Sequence, residues 1–277
     1  MKNGSGIQKI DAKPFLRWAG GKRWLSKHIE SIPKLEINNY HEPFLGGGSV
    51  FFHLENYKTA YLSDLNSDLI NAYNCIKKNP NEIILLLSDY KNTEDEYYKI
   101  RKTIFKSNIE EAAKFIYLNK TSFNGIYRVN KEGIFNVPYG FRKNIDLIDK
   151  ENLLVVSKKL KRTKILHQDF SKIEKNIQKS DLVFLDPPYT VAHENNGFIA
   201  YNQKIFSIED QKKLSLLVEK IKDIGAYYIM TNAKHDAIKE IYKSIDQPIV
   251  LSRKSTVGGK GAKREIYNEY IFSNILY

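Results

Sequence analysis

The segment Asp186-Pro187-Pro188-Tyr189 is the most specific local signal in the chain. Two consecutive prolines cannot pair within a central sheet ladder, and they fix the backbone where it leaves the sheet. Following the apolar run Leu182-Val183-Phe184-Leu185, they hold an aspartate and an aromatic ring at the mouth of a sheet. Asp186 and the Pro187 carbonyl can accept hydrogen bonds from an exocyclic amine, and Tyr189 offers a flat face for a base. A rigid turn that only caps a strand is the competing reading. The second constellation is Gly46-Gly47-Gly48, whose residues allow close backbone approach and positive φ. It lacks the G-x-G-x-x-G spacing, so a tight turn and a ligand cradle fit it equally. Asp64, closing the next apolar stretch, suits an acid that binds ribose hydroxyls or the N-cap of the following helix. The segment Pro14 to Lys22 joins an aromatic residue, a double glycine and a cation. Taken singly, Trp18 reads as a core residue and Lys22 as a solvated charge.

The elements that must position these residues are short strands alternating with helices. Strands are expected at Tyr40 to Leu45, Thr59 to Ser63, Lys164 to His167, Leu182 to Leu185 and Gly225 to Met230, with Thr231-Asn232 at the carboxyl end of the last. Glu269 to Ile275 reads as a closing strand. Helical patterning covers Ser49 to Asn56, Ser67 to Lys77 and Ile208 to Ile224. Strand, glycine loop, helix, then strand with a terminal acid is a doubly wound α/β pattern, with ligands at the carboxyl ends of strands. Between about Leu69 and Asp146 the alternation breaks into helices at Glu82 to Tyr90, Glu94 to Lys106 and Ile109 to Lys120. A turn-rich stretch follows from Ser122 to Asn144, where Asn124-Gly125 and Lys131-Glu132-Gly133 predict a loop and a hairpin.

The 277 residues, at about 150 per domain, predict one large domain or a domain with an insert. Lys and Arg number 44 against 32 Asp and Glu, a net +12 that favours a polyanionic partner over an acidic or neutral one. The single cysteine, Cys75, excludes an internal disulfide framework and a cysteine-based zinc site, and no metal is expected. The longest aliphatic run, Ile83 to Leu87, is far too short to span a bilayer. A cytoplasmic protein with no membrane partner is expected.

In order along the chain, Trp18 to Lys22, Glu42 to Gly48, Asp64-Leu65-Asn66 and Asp186 to Tyr189 resemble the motifs of the Dam-like, or D12-class, amino-methyltransferases, which modify exocyclic amines of DNA with S-adenosylmethionine. The resemblance covers nearly the whole chain. It implies a Rossmann-like α/β methyltransferase sheet formed by residues 1–68 and 147–277, with a mostly helical target-recognition domain inserted at 69–146. It assigns contact with the methyl donor to Trp18, Lys22, Phe44, Gly46, Asp64 and Asp186. It also suggests that Asp169 and Phe170 flank the donor's adenine. Asp186, Pro187 and Tyr189 become the catalytic set.

By the same resemblance, residues 123–130 and 133–140 form a DNA-reading loop and hairpin. Arg128 then reads a guanine edge, chemically apt for a bidentate guanidinium, although phosphate contact alone also fits. Phe123 and Asn124 fill the space of an extruded base, or Phe123 simply packs, and Arg17 and Tyr139 add DNA contacts. GATC is one candidate site. After Gly140, however, stands Phe141-Arg142-Lys143-Asn144, where the best-known GATC members carry Arg-Tyr-Lys, and this leaves the sequence read open. Ser252-Arg253 and Lys260 to Arg264 resemble a late basic loop that holds phosphates.

The expected reaction is direct methyl transfer to the N6 amine of a flipped adenine in duplex DNA. N4 of cytosine is the alternative on the same scaffold, and a non-catalytic DNA-binding protein is a third reading. Cys75 has no Pro-Cys context, which disfavours covalent C5-cytosine chemistry and makes it a buried small hydrophobe. A restriction endonuclease acting on the same site is a candidate partner.

Overall fold

The computed structural model describes residues 11–25, 36–190, 206–254 and 266–276. The basic stretch Lys260 to Arg264 therefore lies outside the described residues. The chain divides into two compact units. Met1–Arg23, Leu45–Glu55 and Asn66–His167 form the first, and Trp24–Phe44, Asn56–Leu65 and Gln168–Tyr277 the second.

The second unit carries six of the sheet's seven strands, in the order β2-β1-β4-β5-β7-β6. These are β1 (Asn39–Glu42), β2 (Thr59–Asp64), β4 (Leu182–Leu185), β5 (Tyr227–Ala233), β6 (Ile249–Lys254) and β7 (Ile266–Ser273). The first four run parallel, and β7 is antiparallel to both β5 and β6. All four residues of β4 are buried, as an apolar strand in a parallel sheet covered on both faces must be. Val183, Leu185, Tyr228, Met230 and Phe272 form a core with Leu214, Val218 and Ile221 of the helix Ile208–Asp223. Strand order reverses between β1 and β4, and a crevice at the carboxyl ends of the strands belongs at such a switch point.

The opposite ends of β1 and β4 are pinned by a buried carboxylate. Asp181 accepts from the Asn39 backbone and side-chain amides, both at 3.0 Å, and from Gln178 N at 2.9 Å. His41 Nε2 lies 2.8 Å from its Oδ2, and both side chains are fully buried. A buried carboxylate is costly unless its lone pairs are used. Here four contacts use them.

The first unit is mostly helical: α1 (Ser67–Lys78), α2 (Pro80–Asp89), α3 (Glu94–Lys102), α4 (Asn108–Thr121) and α5 (Lys150–Leu160), followed by β3 (Thr163–His167). The Asn66 side chain caps α1 by accepting from Leu69 N at 3.0 Å. Lys77 and Lys78 in its last turn suit the helix dipole. Tyrosine hydroxyls tie the loops of this unit. Tyr97 Oη donates to Val137 O (2.8 Å), Tyr117 Oη to Lys91 O (2.7 Å) and Tyr139 Oη to the Asn92 side chain (2.9 Å).

Two expectations change. Ser49 to Asn56 is a series of turns, not a helix. Val50, Phe51, Phe52 and Leu54 are buried while His53, Glu55 and Asn56 are exposed, so three of the buried side chains are consecutive rather than on one helical stripe. β6 was not expected from sequence. It is a short strand after Pro248, with Val250 exposed.

Candidate active site

In the second unit, Asp186 follows β4 directly, and its Oδ1 accepts a hydrogen bond of 2.6 Å from Thr231 Oγ1. Thr231 is fully buried within β5. β4 and β5 are parallel with Leu185 opposite Met230. The residues that follow, Asp186 and Thr231, therefore arrive side by side. Thr190, just past the two prolines, accepts at its hydroxyl from Gln211 Nε2 (3.0 Å). Gln211 Oε1 accepts from Asn232 Nδ2 (3.0 Å) and from Tyr242 Oη (2.8 Å). All four side chains are buried. The segment 186–190 is thus held at its start by a strand residue and at its end by an amide network. Within it Pro187 is buried, Pro188 exposed, and Asp186 and Tyr189 half-buried.

Four further residues of this unit gather at the same carboxyl edge. Asp64 is the last residue of β2, is half-buried, and accepts at its backbone oxygen from Gln168 N (3.2 Å). Phe44 lies just past β1, half-buried and stacked on Phe170 at 5.4 Å between centroids. Phe170 itself is buried, so Phe44 offers the accessible ring and Phe170 supports it. Asp169 caps the short helix Phe170–Asn176, accepting from Ser171 N (2.9 Å) and Ser171 Oγ (2.6 Å).

In the first unit, Trp18 lies on the glycine loop. A Cβ on Gly46 would fall 2.8 Å from the indole Nε1, and one on Gly47 would fall 2.9 Å from Trp18 Cβ. Gly46 also sits at φ +46°, a conformation that side chains rarely adopt. These glycines are required by the close approach of Trp18 as well as by the turn. Lys22 is buried, its backbone N–H donating to Ser49 Oγ (2.8 Å) and its Nζ to Gly20 O (2.9 Å). It is not the solvated charge that its residue type suggests.

The turn-rich segment from Ser122 forms the expected loop and hairpin. Asn124 and Gly125 both have positive φ, and Ile126 N donates to Phe123 O at 3.3 Å. This is a type I′ turn, for which Asn-Gly is the favoured pair. Val129 bridges Phe135 across the tip at Gly133, and Ser122 bridges Tyr139. Phe123, Asn124 and Arg128 are exposed. Asn136 Oδ1 accepts from Arg128 Nε at 2.8 Å, which fixes the plane of the guanidinium. Arg17 is exposed at its side chain, while Asn119 holds its backbone through both N–H (2.8 Å) and C=O (2.7 Å). Burial and then the nearby Arg142 charge hold the Arg17 pKa below its ordinary value. Tyr139, expected among the DNA contacts, is instead buried with its hydroxyl on Asn92, and it backs the exposed ring of Phe141 at 4.9 Å.

Sequence reasoning did not find Thr231, Gln211 or Asn119 as partners of the site. Thr231 was placed at a strand end, but only the β4–β5 register pairs it with Asp186. No group of His, Cys, Asp and Glu among the described residues could hold a metal ion. None of the described helices is long and apolar enough to cross a membrane.

Compared with known proteins, residues 18–257 match the family described as D12 class N6 adenine-specific DNA methyltransferase. The chain is 37% identical to the Type II methyltransferase M1.LlaDCHI of Lactococcus lactis subsp. cremoris, covering 96% of each protein. It is 32% identical to a DNA adenine methylase of Haemophilus influenzae, covering 84% of each, and 30% identical to that of Escherichia coli K12, covering 92% of each.

Proposed function

Because the chain belongs to the D12 class of N6 adenine-specific DNA methyltransferases, we propose that Asp186, Pro187 and Tyr189 receive an extruded adenine and direct its N6 amine to the methyl donor. The protein is a DNA adenine-N6 methyltransferase, and the family's adenine specificity decides against the cytosine alternative. The methyl donor that the family implies is S-adenosylmethionine. It supplies an electrophilic methyl group on a sulfonium sulfur.

The carboxyl edge of the second unit has the chemistry to hold that donor. Asp64, Asp169 and Asp186 bring acceptors for hydroxyl and ammonium groups, and Phe44 brings an apolar ring face. In the first unit, Trp18, Lys22 and Gly46 are the proposed donor contacts. The buried Lys22 acts there by fixing the Gly20 turn.

An aromatic amine is a poor nucleophile because its lone pair is delocalised into the ring. Asp186 and the Pro187 carbonyl accept its two N–H bonds and favour a pyramidal nitrogen whose lone pair is localised. Tyr189 stacks on the base. The proton shed after methylation leaves through the Asp186 carboxylate to water. This is catalysis by positioning and electrostatics, with no strong base required. The 2.6 Å hydrogen bond that orients Asp186 is the observation that carries the reading.

DNA is read, in this proposal, by the segment 69–146, with Arg128 on a guanine edge, Phe123 and Asn124 at the flipped base, and Arg17 as a further base contact. Tyr139 supports the loop from beneath. GATC is one candidate site, and the Type II names among the relatives make a restriction endonuclease of the same specificity a candidate partner. A cytoplasmic location accords with such a role. Methylome sequencing of DNA exposed to the protein, with nucleoside mass spectrometry, tests base and site together. N6-methyladenine at one short motif, lost in Asp186→Ala while DNA affinity persists, is the expected result. Full activity of Asp186→Ala refutes the assigned role.

A further inference from the structure

We propose that Tyr127 is a positioning residue that couples reading of the DNA site to the grip on the methyl donor. Three observations within the first unit carry this. First, the Tyr127 ring stacks on the indole of Trp18, with centroids 5.8 Å apart and planes at 21°. Second, its hydroxyl donates to Asp68 Oδ2 at 2.9 Å. Burial and then Asp68 push the phenol well above its ordinary pKa, so it stays protonated as a donor. Third, residues 127–130 alternate half-buried, exposed, half-buried, exposed, as an extended segment does. Tyr127 therefore faces inward while its neighbour Arg128 faces out.

The consequence is mechanical. Arg128 is braced by Asn136, and the strand it sits on is bridged at Val129, so the segment cannot yield at one residue alone. A shift of Arg128 onto a base edge moves Tyr127, and Tyr127 touches Trp18 and Asp68. Trp18 in turn packs directly on the backbone of Gly46 and Gly47, where an added Cβ would collide with it. A second tie runs in parallel: Asn119 Nδ2 reaches both Arg17 O (2.7 Å) and, at 3.4 Å, Gly125 O of the reading turn. Since coupling of two binding events is reciprocal, the correct site should tighten the donor and the donor should sharpen site discrimination. This rests on the proposed donor role of Trp18, and the test separates the two.

Calorimetry with S-adenosylhomocysteine is performed on the protein alone, with a duplex carrying the site found by methylome sequencing, and with the same duplex scrambled. Wild type should bind it at least about fivefold tighter with the site duplex than with the scrambled one, within the usual range of such couplings. In Tyr127→Leu the ratio should fall to about one, while affinity in the scrambled complex stays within about threefold of wild type. Equal loss in all three states means a merely structural role and overturns the proposal. So does an unchanged ratio. Tyr127→Phe keeps the ring and the fold, losing only the anchor on Asp68. It should lower the ratio at least about twofold, and an unchanged ratio there overturns the proposal even if Tyr127→Leu fails to fold. Wild type that binds the probe in no complex refutes the donor site itself, and the coupling falls with it.

Discussion

Thr231→Val removes one oxygen from the buried end of β5 and leaves the side chain's shape intact. That oxygen donates the 2.6 Å hydrogen bond to Asp186 Oδ1. A hydrogen bond to a charged group contributes about 1.5–3 kcal/mol. Asp186 is half-buried, so water partly replaces the lost donor and the lower value applies. If the bond serves to aim the carboxylate, the loss appears in the transition state, and about 1.4 kcal/mol is about tenfold in kcat. Single-turnover methylation of a fixed duplex measures this without product release. DNA affinity should hold, because nothing on the hairpin proposed to read DNA has changed. Thr231→Ser supplies the crossed control. It keeps the hydroxyl and deletes a buried methyl group, which costs about 1 kcal/mol of stability and should leave kcat near wild type. Unchanged kcat in Thr231→Val, or equal losses in the two variants, refutes the reasoning.

Gln211→Leu strands the Thr190 hydroxyl and the Asn232 amide, both of which it now joins, and leaves Tyr242 Oη only the backbone oxygen of residue 211. With about 1–3 kcal/mol for a buried polar group left unsatisfied, urea unfolding should show a loss of about 2–4 kcal/mol, and a loss below about 1 kcal/mol would mean the network relaxes freely. Asp210 closes a capping box with Ser207 on the helix Ile208–Asp223. Burial raises its pKa, but hydrogen bonds from the Ser207 backbone and hydroxyl and from Lys213 outweigh this and hold it below the usual carboxylate value. A folded-state pKa below the unfolded one stabilises fully above the unfolded value and loses that contribution as pH falls through the folded one. Asp210→Ala should therefore lower stability at pH 7 by about 1 kcal/mol, with the gap to wild type in Tm closing below about pH 4; a gap independent of pH would remove the carboxylate from the explanation.

What the sequence showed, and what it hid, follow from the range of the interactions concerned. Asn124-Gly125 was legible as a turn because positive φ at two successive residues is a local demand. The Asp-Pro-Pro-Tyr segment was legible because proline acts on its own backbone. Ser49 to Asn56 was misread because its apolar spacing mimics one face of a helix, whereas the fold buries the consecutive Val50, Phe51 and Phe52 together in turns. The fate of Tyr139 was hidden because its hydroxyl is claimed by Asn92, 47 positions away. The same holds for Thr231, whose partnership with Asp186 spans 45 positions and exists only through parallel strand register.

That register also explains why so few charged groups suffice for the chemistry. A reaction that needs an amine aimed at an electrophile gains more from a fixed acceptor than from a stronger base. Fixing an aspartate on a loop is ordinarily difficult, because loops carry few cooperative contacts. Here the loop is short, its first residue extends β4, and Thr231 belongs to the adjacent strand, so Asp186 inherits the rigidity of the sheet. The far end of the loop is tied to Gln211, which also binds Asn232 of that same strand. Both ends of the proposed catalytic segment are therefore referenced to β5. A displacement of the loop as a whole would have to break the Thr231 bond and the buried amide network together, and prolines at 187 and 188 limit what the backbone between them can absorb.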